Sequence, residues 1–174
     1  MEAIQLPMAT THIGYKHGQR NSRGEPHPGY DLNYGTTPNA DLGRPVVAPV
    51  ALKVADVGAR KYYGNYVVGV NEALGYVFRF MHLDQMHCTE GQTLAAGKLL
   101  GTCGNSHYGG WPGMSAHLHY DILRLSVLKA RKLPWLYWPN AQTSPEDFAN
   151  IFVNPASLHP QLLLCTTVPG AVRT

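Results

Sequence analysis

The sequence is short of the features that most readily assign a chain. Only three of its 174 residues are cysteine: Cys88, Cys103 and Cys165. An odd count without CxxC spacing argues against both a disulfide framework and a thiolate zinc site, so three partly buried free thiols are expected. Charged residues make up 14% of the chain and the net charge is +3. That is too small a charge to point to nucleic acid, although its sign suits a polyanionic surface such as a cell wall. No apolar stretch approaches membrane-spanning length. The opening "MEAIQLPMATTHIGYK" has no cationic start followed by an apolar run, so no secretion signal is expected. An HExxH helix, a GxSxG elbow and a P-loop are also missing, which removes the helical zinc-protease pattern and two further catalytic signatures.

What the chain has in quantity is turn formers and histidine. There are 18 glycines, 13 prolines, 10 tyrosines and 9 histidines. This composition favours strands and turns over helices, and the length suits one domain with a single core. The histidines gather around residues 12–27, 82–87 and 107–119.

Residues 1–30 show no clear periodicity and read as loop with one short strand at most. "RPVVAPVALKVADVG" reads as two short strands around a proline-marked bend. "YGNYVVGVNEALGYVFRFMHL" reads as a hairpin, with strands at 65–71 and 76–82 and a turn at Glu72–Gly75. Alternation in the second strand puts Tyr76, Phe78, Phe80 and His82 on one face and Val77, Arg79 and Met81 on the other. "EGQTLAAGKLLGTCG" supplies further short strands, and "HLHYDILRL" closes the series. Beyond residue 125 come aromatic bulk and breakers. "SPEDFANIF" then reads as a helix start, with Ser144 as N-cap, Pro145 in first position and acids in the first turn. Residues 160–174 read as a loosely held C-terminal tail. The expectation is a mainly β single domain: a central antiparallel sheet forming a groove, with short helices and long loops around it.

Three stretches carry side chains suited to chemistry. In "HLHYDILRL" the strand period puts His117, His119, Asp121 and Leu123 on one face and Leu118, Tyr120 and Ile122 on an apolar one. The two imidazoles would stand about 6.5–7 Å apart, close enough to serve one site, although a wet strand face would look the same. In "EPHPGYDLNYG", Pro28 and Gly29 between His27 and Asp31 argue against helix. A tight loop could converge the pair, and imidazole with carboxylate is a sound zinc combination. His82 stands at the end of the aromatic strand in "FMHLDQ".

Taken together these stretches resemble the lysostaphin-type (LytM-like) peptidoglycan zinc metalloendopeptidases. That family shows HxGxD, a strand ending in HL, a GxxxxxGxxxGxxG run and HLH in a strand. Here the matching segments are "HPGYD", "YGNYVVGVNEALGYVFRFMHL", "EGQTLAAGKLLGTCGNS" and "HLHYDI", and "FVNPASL" is similar to the closing segment. The resemblance covers roughly residues 12–158. It implies one zinc ion held by His27, Asp31 and His119, with His82 and His117 as the catalytic histidines that do not bind metal. It also implies a peptide of bacterial peptidoglycan as substrate, cut without an acyl-enzyme.

The chain departs from the family pattern in three places, all expected to be loops: after Asp31, in "GNSHYGGWPGMSAH", and across residues 125–150. Tyr66, His107 and Trp111 are candidate substrate contacts. Tyr63, Trp135, Tyr137 and Trp138 are further aromatics for a groove or for packing. His12, His17, His87 and His159 are expected to be incidental. A monomeric, phage-type lytic enzyme, made in the cytoplasm and acting on the wall, is the expected setting. A catalytically silent wall-binding or activator module is the alternative, disfavoured because all five site positions are filled. A zinc enzyme with another peptide target is the third possibility.

Overall fold

Glycine-punctuated β segments assemble into one open sheet in the computed structural model, which describes residues 4–109 and 113–167. The strands are β1 (His12–Ile13), β2 (Tyr30–Asn33), β3 (Pro45–Val47), β4 (Leu52–Arg60), β5 (Gly64–Asn71), β6 (Tyr76–Met86), β7 (Thr93–Leu94), β8 (Leu99–Cys103), β9 (Leu118–Arg124), β10 (Phe152–Val153) and β11 (Thr166–Thr167). The main path runs β11-β1-β2-β9-β6-β5-β4-β7. β10 pairs with β9, and β3 joins through β8, which pairs with β6. The β1–β11 pair is parallel, while the pairs that frame the site, β2–β9, β6–β9 and β6–β8, are antiparallel. None of the described helices is long and apolar enough to cross a membrane.

The expected hairpin is present as β5 and β6, closed by Gly75 N–H on the Glu72 carbonyl. Its second strand runs further than expected and does not keep its pleat. Val67 pairs with Phe80 and Asn65 with Leu83, so Tyr66 alone faces both Met81 and His82. This is a β-bulge, and His82 sits in it with φ 65°. The break turns Leu83 into the cluster that holds Phe78 and Phe80. His82 is thereby sent to the opposite face, so the expectation that it shares a face with Phe78 and Phe80 is corrected. The break also marks a change of partner. β6 pairs with β9 as far as Met81↔His119 and with β8 from Leu83↔Cys103 onward.

The sheet is apolar on both faces. One carries Leu32, Phe78, Phe80, Leu118, Tyr120 and Ile122. The other packs Val68, Val77, Met81 and Leu123 against two helices, α1 (Leu125–Arg131) and α2 (Pro145–Ile151). α2 starts as the sequence predicts, with the Ser144 hydroxyl accepting from Asp147 N–H at 3.1 Å. α1 was not legible, because seven residues with one buried i, i+3 pair, Leu125 and Leu128, give too little periodicity. It ends on Lys132 in the left-handed region, whose N–H caps the Leu128 and Lys129 carbonyls.

Residues 160–167 are not a loose tail. Leu162 is buried in the core and β11 pairs with β1, whereas residues 168–174 lie outside the described residues. His159 is likewise not incidental. It is fully buried, and its Nε2 accepts from the Tyr120 hydroxyl at 3.0 Å. Burial pushes its pKa down to about 4, opposed only in part by the Ile4 backbone. Because the folded pKa lies below the unfolded one, the stability contribution is complete above pH 6.5 and is lost as pH falls towards 4. His159→Gln should therefore flatten the loss of stability between pH 7 and pH 4.5, by about 2 kcal/mol. Chemical denaturation of both forms at the two pH values measures it, and parallel pH slopes would contradict it.

Candidate metal centre

The segment bearing His27 and Asp31 is held in place by the chain before it. Residues 14–19 run back along 27–31 through Gly14 N–H to Asp31 O, Asp31 N–H to Tyr15 O, Gly18 N–H to His27 O and His27 N–H to Gln19 O, all at 2.8–2.9 Å. His17 is part of this support. Its Nδ1 donates to the Pro28 carbonyl at 2.8 Å and its ring packs on Phe148 at 4.8 Å. Burial lowers its pKa, against the opposing pull of the Pro28 carbonyl. The expectation that His17 is incidental is corrected accordingly. Gly29 is required by close approach: a Cβ there would stand 2.1 Å from the Tyr120 carbonyl oxygen. With the backbones this close, β2 pairs with β9 so that Asp31 lies directly opposite His119.

The side chains of His27, Asp31 and His119 converge, with ligand atoms all within 4.8 Å of one another. Asp31 Oδ1 stands 3.1 Å from His27 Nε2 and 3.0 Å from His119 Nδ1. His82 and His117 complete the group, their rings 4.8 Å apart, with His117 Nε2 3.7 Å from Asp31 Oδ1. All five side chains are buried. The structure thus brings together every residue expected as ligand or catalytic histidine.

Hydrogen bonds decide which nitrogen of each ring carries a proton. A carbonyl oxygen only accepts, so a ring nitrogen facing one must be N–H. His27 Nδ1 faces Gly29 O at 2.9 Å, His82 Nδ1 faces Ser106 O at 3.0 Å and His117 Nδ1 faces Ser115 O at 2.9 Å. In their neutral forms all three carry the lone pair on Nε2. His119 is reversed. Its Nε2 donates to Asp121 Oδ2 at 2.8 Å, so in the neutral ring, the form a metal binds, the lone pair lies on Nδ1, towards Asp31.

Asp121 is fully buried and held by Arg79 through two bonds of 2.6 Å. Burial alone would raise its pKa, but the Arg79 charge and the His119 hydrogen bond keep it well below the usual carboxylate range. For His119, burial lowers the pKa, yet bonds to Asp121 and Asp31 and their charges outweigh it and the net shift is upward. Arg79 is the residue the sequence reading missed. A guanidinium on the Val77–Met81 face of an apolar strand was the available signal, as was a carboxylate two residues after His119.

A cavity of about 530 Å³ opens beside the centre, bordered by His27, His82 and His119. Its outer walls come from Tyr15, Arg23, Glu25, Tyr62, Tyr63 and Trp138. Trp138, between α1 and α2, lies 5.2 Å from the His119 ring and 6.3 Å from His27. Tyr66 does not reach this cavity. It is 3% exposed and its hydroxyl bonds Asp56 at 3.2 Å. His107 is half-buried and its carbonyl accepts from Tyr62 N–H, with its ring not among the cavity walls. Trp111 lies outside the described residues.

The donor set fits a zinc ion. His27 Nε2 and His119 Nδ1 each stand about 3 Å from Asp31 Oδ1, and with both rings neutral these atoms present three electron pairs to one point. A cation satisfies all three at once, and two imidazoles with one carboxylate, without sulfur, suit zinc.

No curated protein matches the chain. Among solved structures, it is similar to the catalytic domain of the antimicrobial peptidase lysostaphin from Staphylococcus simulans, at 24% identity and TM-score 0.53, covering 64% of this chain and 79% of that one. It is also similar to a zinc containing peptidase from Vibrio cholerae, at 23% identity and TM-score 0.55, where 71% of this chain covers only 37% of the other. A variant of the catalytic domain of the prophage-encoded M23 protein EnpA from Enterococcus faecalis matches at 18% identity and TM-score 0.57, covering 82% and 98% of the two chains. At these identities the likeness is one of fold. The sequence profile of peptidase family M23 matches residues 26–130, more than half of the chain, a span that takes in His27, Asp31, His82, His117 and His119. The chain therefore belongs to peptidase family M23, the LytM-like, lysostaphin-type metallopeptidases.

Proposed function

We propose that this protein is a zinc-dependent endopeptidase that hydrolyses peptide bonds in the stem or cross-bridge peptides of bacterial peptidoglycan. The observation that carries this reading is the convergence of three lone-pair donors beside two further imidazoles at the wall of a cavity. His27, Asp31 and His119 would hold the ion, and residues 12–158 would form the peptidase domain with 125–150 inserted. Tyr62, Tyr63 and Trp138 offer flat apolar surface to a peptide. A phage-type lytic setting agrees with the fold likeness to the prophage-encoded domain.

When bound, zinc supplies Lewis acidity, acidifying a water molecule and polarising the scissile carbonyl. The other work falls to the two remaining histidines. With Nδ1–H held by Ser115, His117 presents Nε2 to take the proton of the attacking water and return it to the leaving amine. His82, its Nδ1–H held by Ser106, must gain a second proton before Nε2 can donate to the developing oxyanion. One ring thus works neutral and the other charged.

Two outcomes test this reading. His119→Ala should lose zinc and activity together, while His117→Ala should keep about one zinc per chain and lose roughly 10²–10⁴-fold in rate. Metal analysis of both variants decides it, and equal zinc loss would contradict the division of roles. Digestion of purified peptidoglycan should release fragments with new peptide amino termini, detectable by mass analysis, abolished by a chelator and restored by zinc. New sugar reducing ends alone, or lysis insensitive to chelation, would contradict a zinc peptidase.

A further inference from the structure

Arg79 and Asp121 form a wholly buried ion pair that meets His119 at the cavity wall. A buried pair of this kind is weak evidence for stability, since apolar replacements of similar volume are often neutral or stabilising. Its partners point instead to the metal centre. Asp121 Oδ2 takes the Nε2–H of His119 at 2.8 Å. Arg79 Nη1 donates to the Tyr137 carbonyl at 2.7 Å and the Trp135 carbonyl at 3.2 Å. A continuous chain of hydrogen bonds thus runs from the backbone of residues 135–137 through Arg79 and Asp121 to the ring of His119.

We propose that Arg79 and Asp121 are positioning residues that fix the tautomer and orientation of His119, with the backbone of residues 135–137 fixing Arg79 in turn. The physical reason lies in the alternative tautomer. If the His119 proton moved to Nδ1, it would point at Asp31 Oδ1, 3.0 Å away, and a single hydrogen bond would occupy two ligand atoms at once. Asp121 prevents this by accepting the proton on the far side of the ring. Arg79 holds that carboxylate aligned, because both of its oxygens are engaged by the guanidinium. An outer partner of a metal-binding histidine commonly changes metal affinity 10–100-fold.

The proposal rests on His119 being a metal ligand, and its test separates the two claims. Zinc dissociation constants are measured by competition with a chromophoric chelator for wild type, His119→Ala, Asp121→Asn and the double variant Arg79→Met, Asp121→Leu, with thermal melting of each zinc-free protein alongside. The double variant removes both buried charges together, so it is expected to fold even where a single change does not. The expected result is a roughly 10–100-fold weaker zinc affinity in the double variant at a near-unchanged melting temperature. ¹⁵N–¹H NMR of zinc-loaded wild type should show the His119 proton on Nε2. Wild-type affinity in the double variant would overturn the positioning role while leaving the zinc site standing. Unaltered zinc binding by His119→Ala, or none by wild type, would overturn both.

Discussion

The left-handed break at His82 is the constraint on which the site depends. An unbroken β6 would carry His82 into the apolar cluster with Phe78 and Phe80 and would keep Leu83 out of it. A side chain at φ 65° is strained for a residue other than glycine, and the surroundings hold it there. His82 N–H bonds the Tyr63 carbonyl, its Nδ1 bonds the Ser106 carbonyl, and Ser106 Oγ bonds both Leu83 O and Asn65 N–H. The same break ends the pairing of β6 with β9 and begins its pairing with β8. His117 and His119 enter at that junction, one just before β9 and one within it, so local strain and the placing of three imidazoles share one cause.

Hydrogen-bond partners then distinguish chemically identical rings. Backbone carbonyls take Nδ1–H from His27, His82 and His117, while a carboxylate takes Nε2–H from His119. A strand residue facing Asp31 across a ladder must approach it differently from a loop residue four positions earlier in the chain. That geometry turns His119 Nδ1 towards Asp31 and Nε2 towards Asp121. The second face of the sheet, apolar under α1 and α2, becomes polar here because the segment between the two helices supplies the Trp135 and Tyr137 carbonyls to Arg79 and the Trp138 indole to His119.

Much of this was legible in the sequence and some was not, for definite reasons. Alternation in "HLHYDIL" placed His117, His119 and Asp121 correctly, since β9 keeps its pleat throughout. The same rule failed at His82, because a bulge leaves no mark in the order of residue types. Ser144 and Pro145 announced α2, whereas α1 is too short for its period to register. Tyr66 reads like a groove aromatic yet is buried against Asp56, and Tyr15, Arg23 and Glu25 border the cavity without any motif. His17 and His159 read as incidental, but each is tied to a residue at the centre or behind it, His17 to the loop carrying His27 and Asp31, and His159 to Tyr120 between His119 and Asp121. Long-range partners of this kind are set by tertiary approach and have no local signature.

The most direct test of the account is anomalous diffraction at the zinc edge from crystals of the zinc-loaded protein. One peak is predicted, coordinated by His27 Nε2, a carboxylate oxygen of Asp31 and His119 Nδ1, with the Nδ1 atoms of His82 and His117 still on backbone carbonyls. A metal bound through His119 Nε2, a cysteine sulfur among the ligands, or a zinc peak away from these three residues would contradict it.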